Sequence, residues 1–174
     1  MRFAALSATD VAAVLGQHGL DDPARRDRLA RLAGGSVSRA LALDDDSIGK
    51  VREELVSGIT DARPNFSRLA DAWQHFYEEA GKDTANQRFR VSLVIRFLVE
   101  ALQQALRLSL GAAVTAVNPA EEDRLRAFAD RIGPDRLLEL IDKCVEADTR
   151  VERRVQLILV IESVLEQFVK PVKV

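Results

Sequence analysis

A stretch near the middle of the chain, residues 88–110, is apolar on nearly every side when it is drawn as a helix. Such a helix must lie among other helices or cross a membrane. Four charged side chains inside the stretch argue against the membrane, because each would cost about 2.5–3.5 kcal/mol near the centre of a bilayer. They are Arg90, Arg96, Glu100 and Arg107. The stretch therefore predicts a buried central helix, roughly 35 Å long at about 1.5 Å per residue, around which other helices pack.

The same stretch carries one narrow polar stripe. Its members recur at steps of three or four and are Ser92, Arg96, Glu100, Gln103 and Arg107. Residues three or four apart share one face of a helix, so we expect the stripe to face solvent or another protein. The residues alone leave both possibilities open: an exposed edge of the bundle, or a surface kept for another subunit.

The segments on either side of the central helix show helix start and stop signals. Ser7–Asp10 has the pattern of a capping box, and Asp22-Pro23 supplies an N-cap and a proline at the first helical position. Thr149–Glu152 has the pattern of a second capping box, which would begin the last helix. No segment alternates apolar and polar residues convincingly with the period of two that a half-buried strand requires. The sequence therefore predicts an all-α fold, with three short helices before a charged junction at residues 44–46 and a helical bundle after it.

Composition and charge narrow the class of protein. Hydrophobic residues make up 47% of the 174 and charged residues 30%, which is typical of a folded globular protein. The formal net charge is only −2, which disfavours a dedicated binder of nucleic acid or of membrane surfaces. The single cysteine, Cys144, excludes an internal disulfide and fits a reducing compartment. The N-terminus has no apolar run of signal-peptide length, so we expect a cytoplasmic protein.

Residues that commonly carry catalysis are few and scattered. His18 and His75 have no cysteine or histidine at metal-binding spacing, and Cys144 falls at core spacing from neighbouring leucines. The adjacent carboxylates Glu78-Glu79 and Glu121-Glu122 cannot face one another on a helix, so we expect them to be solvated or to cap helices. The sequence contains neither a phosphate-binding loop nor a zinc-protease motif. We therefore expect no catalytic residue, no metal and no cofactor in this chain.

Two local clusters of arginine have no assigned chemistry. One lies in residues 25–31, and the other, near the C-terminus, comprises Arg150, Arg153 and Arg154. Most such clusters are solvated helix faces, and here acidic residues are interleaved with the arginines. Contact with nucleic acid stays open as the less favoured alternative.

Residues 29–43 read LARLAGGSVSRALAL and resemble the lid domain of bacterial clamp-loader subunits. In that family a helix ends in a pair of glycines, a serine caps the next helix, and an arginine and Ala-Leu follow. The matching positions here are Gly34, Gly35, Ser36 and Arg39, followed by Ala40-Leu41. Residues 2–6 look like the family's connection from its nucleotide-binding domain into the lid, and residues 146–157 look like the collar of the delta-prime type.

The resemblance implies a small three-helix AAA+ lid in residues 1–44, followed by a helical oligomerisation collar in residues 45–174. The AAA+ core with its phosphate-binding loop would then lie before Met1. In the ATP-hydrolysing subunit of these loaders, the sensor arginine of the lid stands one position before Arg39, where this chain has Ser38. The resemblance therefore implies a delta-prime-like part of DNA polymerase III that hydrolyses nothing itself.

A clamp loader is a ring of related subunits whose collars pack side by side and which loads the sliding clamp onto primed DNA. The resemblance implies that the partners are the ATPase and delta subunits, with DNA reached only indirectly through the complex and no membrane contact. The candidates for the subunit interface are Ser92, Arg96, Glu100, Gln103, Arg107, Arg150, Arg153 and Arg154. Two alternatives stay open: the same region of the ATPase (tau/gamma) or delta subunit, and an unrelated helical adaptor between proteins.

Overall fold

The structure is a computed structural model that describes residues 6–33, 35–42, 46–112 and 119–169. All regular secondary structure within these ranges is helical, which confirms the predicted all-α fold. None of the helices found there combines the length and the apolar composition that a membrane crossing requires.

Nine helices lie within the described ranges. They are α1 (Ala8–Gln17), α2 (Pro23–Leu32), α3 (Val37–Ala42), α4 (Asp46–Thr60), α5 (Phe66–Glu78), α6 (Thr84–Ser109), α7 (Pro119–Ile132), α8 (Pro134–Glu152) and α9 (Leu157–Val169). Four of them begin at a side chain that accepts a hydrogen bond from a backbone N–H of the first turn: Ser7, Asp22, Asn65 and Asp83. The capping roles predicted for Ser7 and Asp22 are thereby confirmed.

The chain divides into two compact units, Met1–Lys50 and Val51–Val174. The sequence placed a boundary at the charged junction after residue 44, whereas the division of the structure falls inside α4. In the first unit, α1 packs against both α2 and α3. Val11 and Leu15 of α1 are completely buried, as is Ala40 of α3, so these three short helices share one small apolar core.

The second unit is organised around α6, which has 26 residues. Helices α5, α7, α8 and α9 all pack against it. Its buried side chains are Val91, Leu93, Val94, Ile95, Phe97, Leu98, Ala101, Leu102, Gln104, Ala105 and Leu108. This burial confirms the predicted central helix, because burying each large aliphatic or aromatic side chain contributes about 1.5–3 kcal/mol to folding.

The predicted start of the last helix at Thr149 is wrong. Helix α8 continues without a break to Glu152, and α9 begins only at Leu157. The hydroxyl of Thr149 donates to the carbonyl of Val145 inside α8, 3.3 Å away, and does not cap a new helix. Val151, two residues after Thr149, is buried, and this explains the difference, because the apolar face of α8 continues through the capping pattern.

Helix α4 is joined to α7 by a buried ion pair that the sequence did not reveal. Arg52 and Glu121 are only 3% and 4% exposed. The guanidinium donates from Nη1 to Oε2 at 2.9 Å and from Nη2 to Oε1 at 2.7 Å, the two-pronged geometry that arginine and carboxylate prefer. The expectation that Glu121 is solvated is therefore wrong, although Glu121 does lie in the first turn of α7.

The Arg52 guanidinium remains charged in this surrounding. Burial alone would lower its pKa, but the hydrogen bonds and the charge of Glu121, with smaller contributions from Glu100 and Glu53, raise the pKa above its ordinary value. At the other end of α7, Nη2 of Arg131 donates to the carbonyls of Thr60 and Asp61, where α4 ends. Arginines therefore link α4 to α7 at two levels, and the two helices run in the same direction.

We expect Glu121→Ala to lower the free energy of unfolding of the second unit by about 3–5 kcal/mol, because it leaves the charge of Arg52 buried without a partner. The double variant Arg52→Met/Glu121→Met removes both charges, and its stability should lie close to that of the wild type. Urea unfolding followed by the fluorescence of Trp73, the only tryptophan in the chain, measures both effects.

Arg126→Ala is the matched control, since Arg126 forms a half-exposed pair with Glu122 on the same helix. It should change the free energy of unfolding by less than about 1 kcal/mol. A Glu121→Ala variant as stable as this control would show that the buried pair is not the link between α4 and α7.

Candidate subunit interface on the central helix

The five residues of the polar stripe lie along one edge of α6. Arg96, Gln103 and Arg107 are exposed, and Ser92 and Glu100 are half-buried. Their positions follow from the helix repeat, because side chains spaced by three or four residues lie on the same side of a helix. The other sides of α6 carry its buried apolar residues. The structure therefore brings all five stripe residues together on one surface of the second unit.

Apolar side chains flank the stripe on the same edge. Phe89, Val99 and Leu106 are half-buried, and Leu110, which caps the C-terminus of α6, is 70% exposed. Polar residues interspersed with partly exposed apolar ones are typical of a surface that binds another protein, where apolar area gives affinity and charge gives specificity. The edge of α6 has this mixed character over its full length.

Several exposed arginines elsewhere in the second unit have a carboxylate partner. Arg68 pairs with Glu54 at 3.0 Å, and Arg126 pairs with Glu122 at 2.9 Å. Within the part of the chain that the structure describes, the side chains of Arg107 and Gln103 make no hydrogen bond or ion pair. Both remain available to groups on another protein.

The second group of predicted interface residues lies in the last turn of α8, where Arg150 is found, and directly after it, where Arg153 and Arg154 follow. Arg150 is already engaged, since it donates to Glu146 at 2.9 Å and to Ser163 at 3.2 Å. Lys143 and Arg150 together lower the pKa of Glu146 below its ordinary value. Arg153 and Arg154 are exposed, and Arg154 has a φ of 63°, a left-handed conformation unusual for a residue with a side chain.

The stripe and the arginine group of α8 are two separate candidates. Among the described residues, no hydrogen bond or ion pair joins Arg150, Arg153 or Arg154 to the stripe on α6. Arg150 has an internal partner, whereas Arg153 and Arg154 make no hydrogen bond or ion pair through their side chains with the described residues. The stripe, with five residues, is the larger of the two groups.

The lid-like motif falls in the first unit, and the structure describes part of it. Gly35 has a φ of 83°, a conformation that glycine adopts readily, and its carbonyl accepts a hydrogen bond from the N–H of Leu6 at 3.3 Å. The carbonyl of Ser36 accepts from the N–H of Ala40 at 3.0 Å, so Ser36 stands at the start of α3. Arg39 lies within α3, while Gly34 and the side chain of Arg39 fall outside the described part.

The histidines and the cysteine lie apart from one another in the described sequence. Among the described residues, no group of three or more His, Cys, Asp and Glu side chains could hold a metal ion. His18 caps the end of α1, and His75 is exposed, with its Nε2 3.6 Å from Glu79. Cys144 lies in the core against α6, as predicted, and burial raises the pKa of its thiol to about 12.

Sequence reasoning missed Arg131 and Arg136, which line a pocket where five helix ends meet. Arg136 is buried although it is charged. The sequence could have indicated that both arginines lie beside apolar core residues. Arg131 follows Phe128 by three residues and Arg136 precedes Leu140 by four, and residues at these spacings share a helix face. Arg131 is exposed, and only the folded structure shows the carbonyl groups to which both arginines donate.

Comparison with known proteins gives no assignment. No protein-family model matches the chain, and neither a curated protein nor a solved structure is significantly similar to it. The likeness to clamp-loader subunits therefore rests on the residues named above.

We expect Cys144 to be unreactive towards Ellman's reagent in the folded protein at pH 8. A thiol with a pKa of about 12 is almost wholly protonated at that pH, and the thiolate is the reacting form. The reaction should be slower by about a hundredfold or more than in urea, where the pKa returns to its ordinary value. Cys144→Ser gives the background rate, and rapid labelling of the folded protein would argue against burial of the thiol.

Proposed function

We propose that this chain is a non-catalytic assembly module of a bacterial clamp loader, the delta-prime type of DNA polymerase III subunit. In this proposal residues 1–44 form a lid of the AAA+ type, and residues 45–174 form the collar through which the loader ring assembles. The module acts in the cytoplasm, where the complete loader places the sliding clamp on primed DNA. The module itself hydrolyses nothing, although its parent complex is a DNA-directed DNA polymerase.

The observation that carries the proposal is the exposed edge of α6. Four helices pack around α6, yet Arg96, Gln103 and Arg107 remain exposed along it. A bundle that had to be stable only by itself could bury this edge under a further helix. Leaving it open on the central helix of the unit supports a role in which a second bundle covers it.

The charges along this edge favour a selective partner. Arg96 and Arg107 are separated by eleven residues, which is about 16.5 Å along a helix, and Glu100 lies between them. A neighbouring bundle that presents carboxylates opposite both arginines would bind in one register, while a basic surface would be repelled. Such selectivity suits a ring whose related subunits must assemble in a fixed order.

The lid-like unit supports the same family from a different part of the chain. The left-handed Gly35 and the start of α3 after Ser36 are the local geometry that a glycine pair followed by a capping serine requires. Ser38, at the place of the sensor arginine in the ATPase subunit, favours a member that does not hydrolyse ATP. This observation ranks the delta-prime type above the ATPase subunit.

We expect this chain to form a stable complex with the ATPase subunit of the clamp loader from the same organism. Size-exclusion chromatography with light scattering on the mixture measures the mass of the complex. The double variant Arg96→Glu/Arg107→Glu should weaken the complex at least about tenfold, because it reverses two charges at the proposed contact. Circular dichroism of the free variant verifies that it is folded.

The matched control is Arg68→Glu/Arg126→Glu, which changes two exposed arginines on α5 and α7 and alters the net charge equally. This variant should bind the ATPase subunit like the wild type. Equal binding by both double variants would mean that the stripe is only a solvated edge. If the wild type binds neither the ATPase subunit nor the delta subunit at low salt, the clamp-loader proposal fails and an unrelated helical adaptor becomes the better interpretation.

A further inference from the structure

A pocket of about 260 Å³ opens in the second unit, where α4, α7 and α9 end and α5 and α8 begin. Three phenylalanines line it, Phe66, Phe128 and Phe168, together with aliphatic side chains. Its charged lining residues are Asp61, Arg131 and Arg136. The pocket is remote in sequence from the stripe residues of α6, and nothing in the proposed assembly role makes use of it.

Both arginines are held by carbonyl groups at the C-terminal ends of helices. Nη2 of Arg131 donates to the carbonyls of Thr60 and Asp61, at 3.1 and 2.8 Å. Nη2 of Arg136 donates to the carbonyl of Gln167, near the end of α9. The guanidinium groups are therefore fixed before anything binds, so that a ligand would not have to order them.

The two arginines differ in how their charge is balanced. Arg136 pairs with Glu139 at 2.6 Å. Arg131 lies over the ring of Phe128, with Cζ 5.3 Å from the ring centroid. In the described part of the chain, Arg131 pairs with no carboxylate. The carboxylate of Asp61 accepts from the N–H of Arg63 at 2.8 Å. With two arginines and one aspartate, the lining of the pocket carries a net charge of +1.

We propose that this pocket binds an apolar side chain of a partner protein together with a carboxylate adjacent to it in the partner's chain. The aromatic rings receive the side chain, and the carboxylate accepts from the nitrogens of Arg131 that the carbonyls leave unused, Nη1 and Nε. The volume lies below the roughly 300–1,000 Å³ of pockets for drug-sized molecules, which suits a single side chain. A fixed arginine beside an aromatic pocket is also the composition that dominates the energetics of many protein interfaces.

A carboxylate fits this pocket better than a phosphate group does. Nη2 of Arg131 already donates to two carbonyls, so a carboxylate would accept from Nη1 or Nε of this guanidinium. A doubly charged phosphate would lie beside Asp61 with only one unbalanced arginine to offset that repulsion. The inference does not rest on the proposed function, because any acidic, apolar segment could be the ligand.

The first test is a titration of the isotope-labelled full chain, followed by NMR, with N-acetyl-L-phenylalanine and with its uncharged amide. Both probes should shift the resonances of Phe66, Phe128 and Ile132, with dissociation constants in the millimolar range expected for ligands of this size. The carboxylate probe should bind at least about threefold tighter than the amide, because only it can pair with Arg131.

The second test repeats both titrations with Arg131→Gln. The affinity for the carboxylate probe should fall to that for the amide, while binding of the amide verifies that the pocket is intact. Arg126→Gln, an exposed arginine of the same helix, should leave the preference unchanged. Arg131→Lys should keep part of the preference, so a failure of Arg131→Gln to fold would not remove the test.

Three results would overturn the proposal. The first is the absence of resonance shifts localised at the pocket with either probe, and the second is equal binding of the two probes by the wild type. The third is a concentration-dependent dimer, detected by light scattering, that Arg131→Gln abolishes. That result would mean that a second copy of this chain, and not a different partner, occupies the pocket.

Discussion

The burial of α6 is the constraint on which the second unit depends. Its face carries leucine, valine, isoleucine and phenylalanine in nearly every direction, so the helix can exist in water only when other helices surround it. Helices α5, α7, α8 and α9 do so, and the edge that they leave open is the edge with the polar residues. The fold and the candidate interface thus have one origin, because the sequence of α6 determines both what is covered and what remains exposed.

Charged groups inside this apolar bundle set its register. Burying hydrophobic surface favours many arrangements of helices, since it has little directional preference. The pairing of Arg52 with Glu121 favours only one arrangement, because a displaced helix would leave both charges buried without a partner. The carbonyl contacts of Arg131 and Arg136 act in the same way at helix ends. These contacts therefore favour the observed packing over arrangements that would break them.

The sequence predicted those features that depend on local chemistry. The central helix, the caps at Ser7 and Asp22, and the core position of Cys144 all follow from spacing or from a hydrogen bond within one turn. The failures occurred where distant contacts overrode a local pattern. Burial of Val151 extended α8 through an apparent capping box. Glu121 is buried because it pairs with Arg52, which lies 69 residues earlier in the chain. The pocket combines the ends of five helices, which no single segment could indicate.

The two links between α4 and α7 have a mechanical consequence. Arg52 reaches from α4 to Glu121 near the start of α7, and Arg131 reaches back from α7 to the carbonyls that end α4. Sliding one helix along the other by a turn, about 5.4 Å, would break both links at once. A force along the axis of α4 would therefore act on both links together. The helices α4 and α7 would resist such a force as one rigid unit.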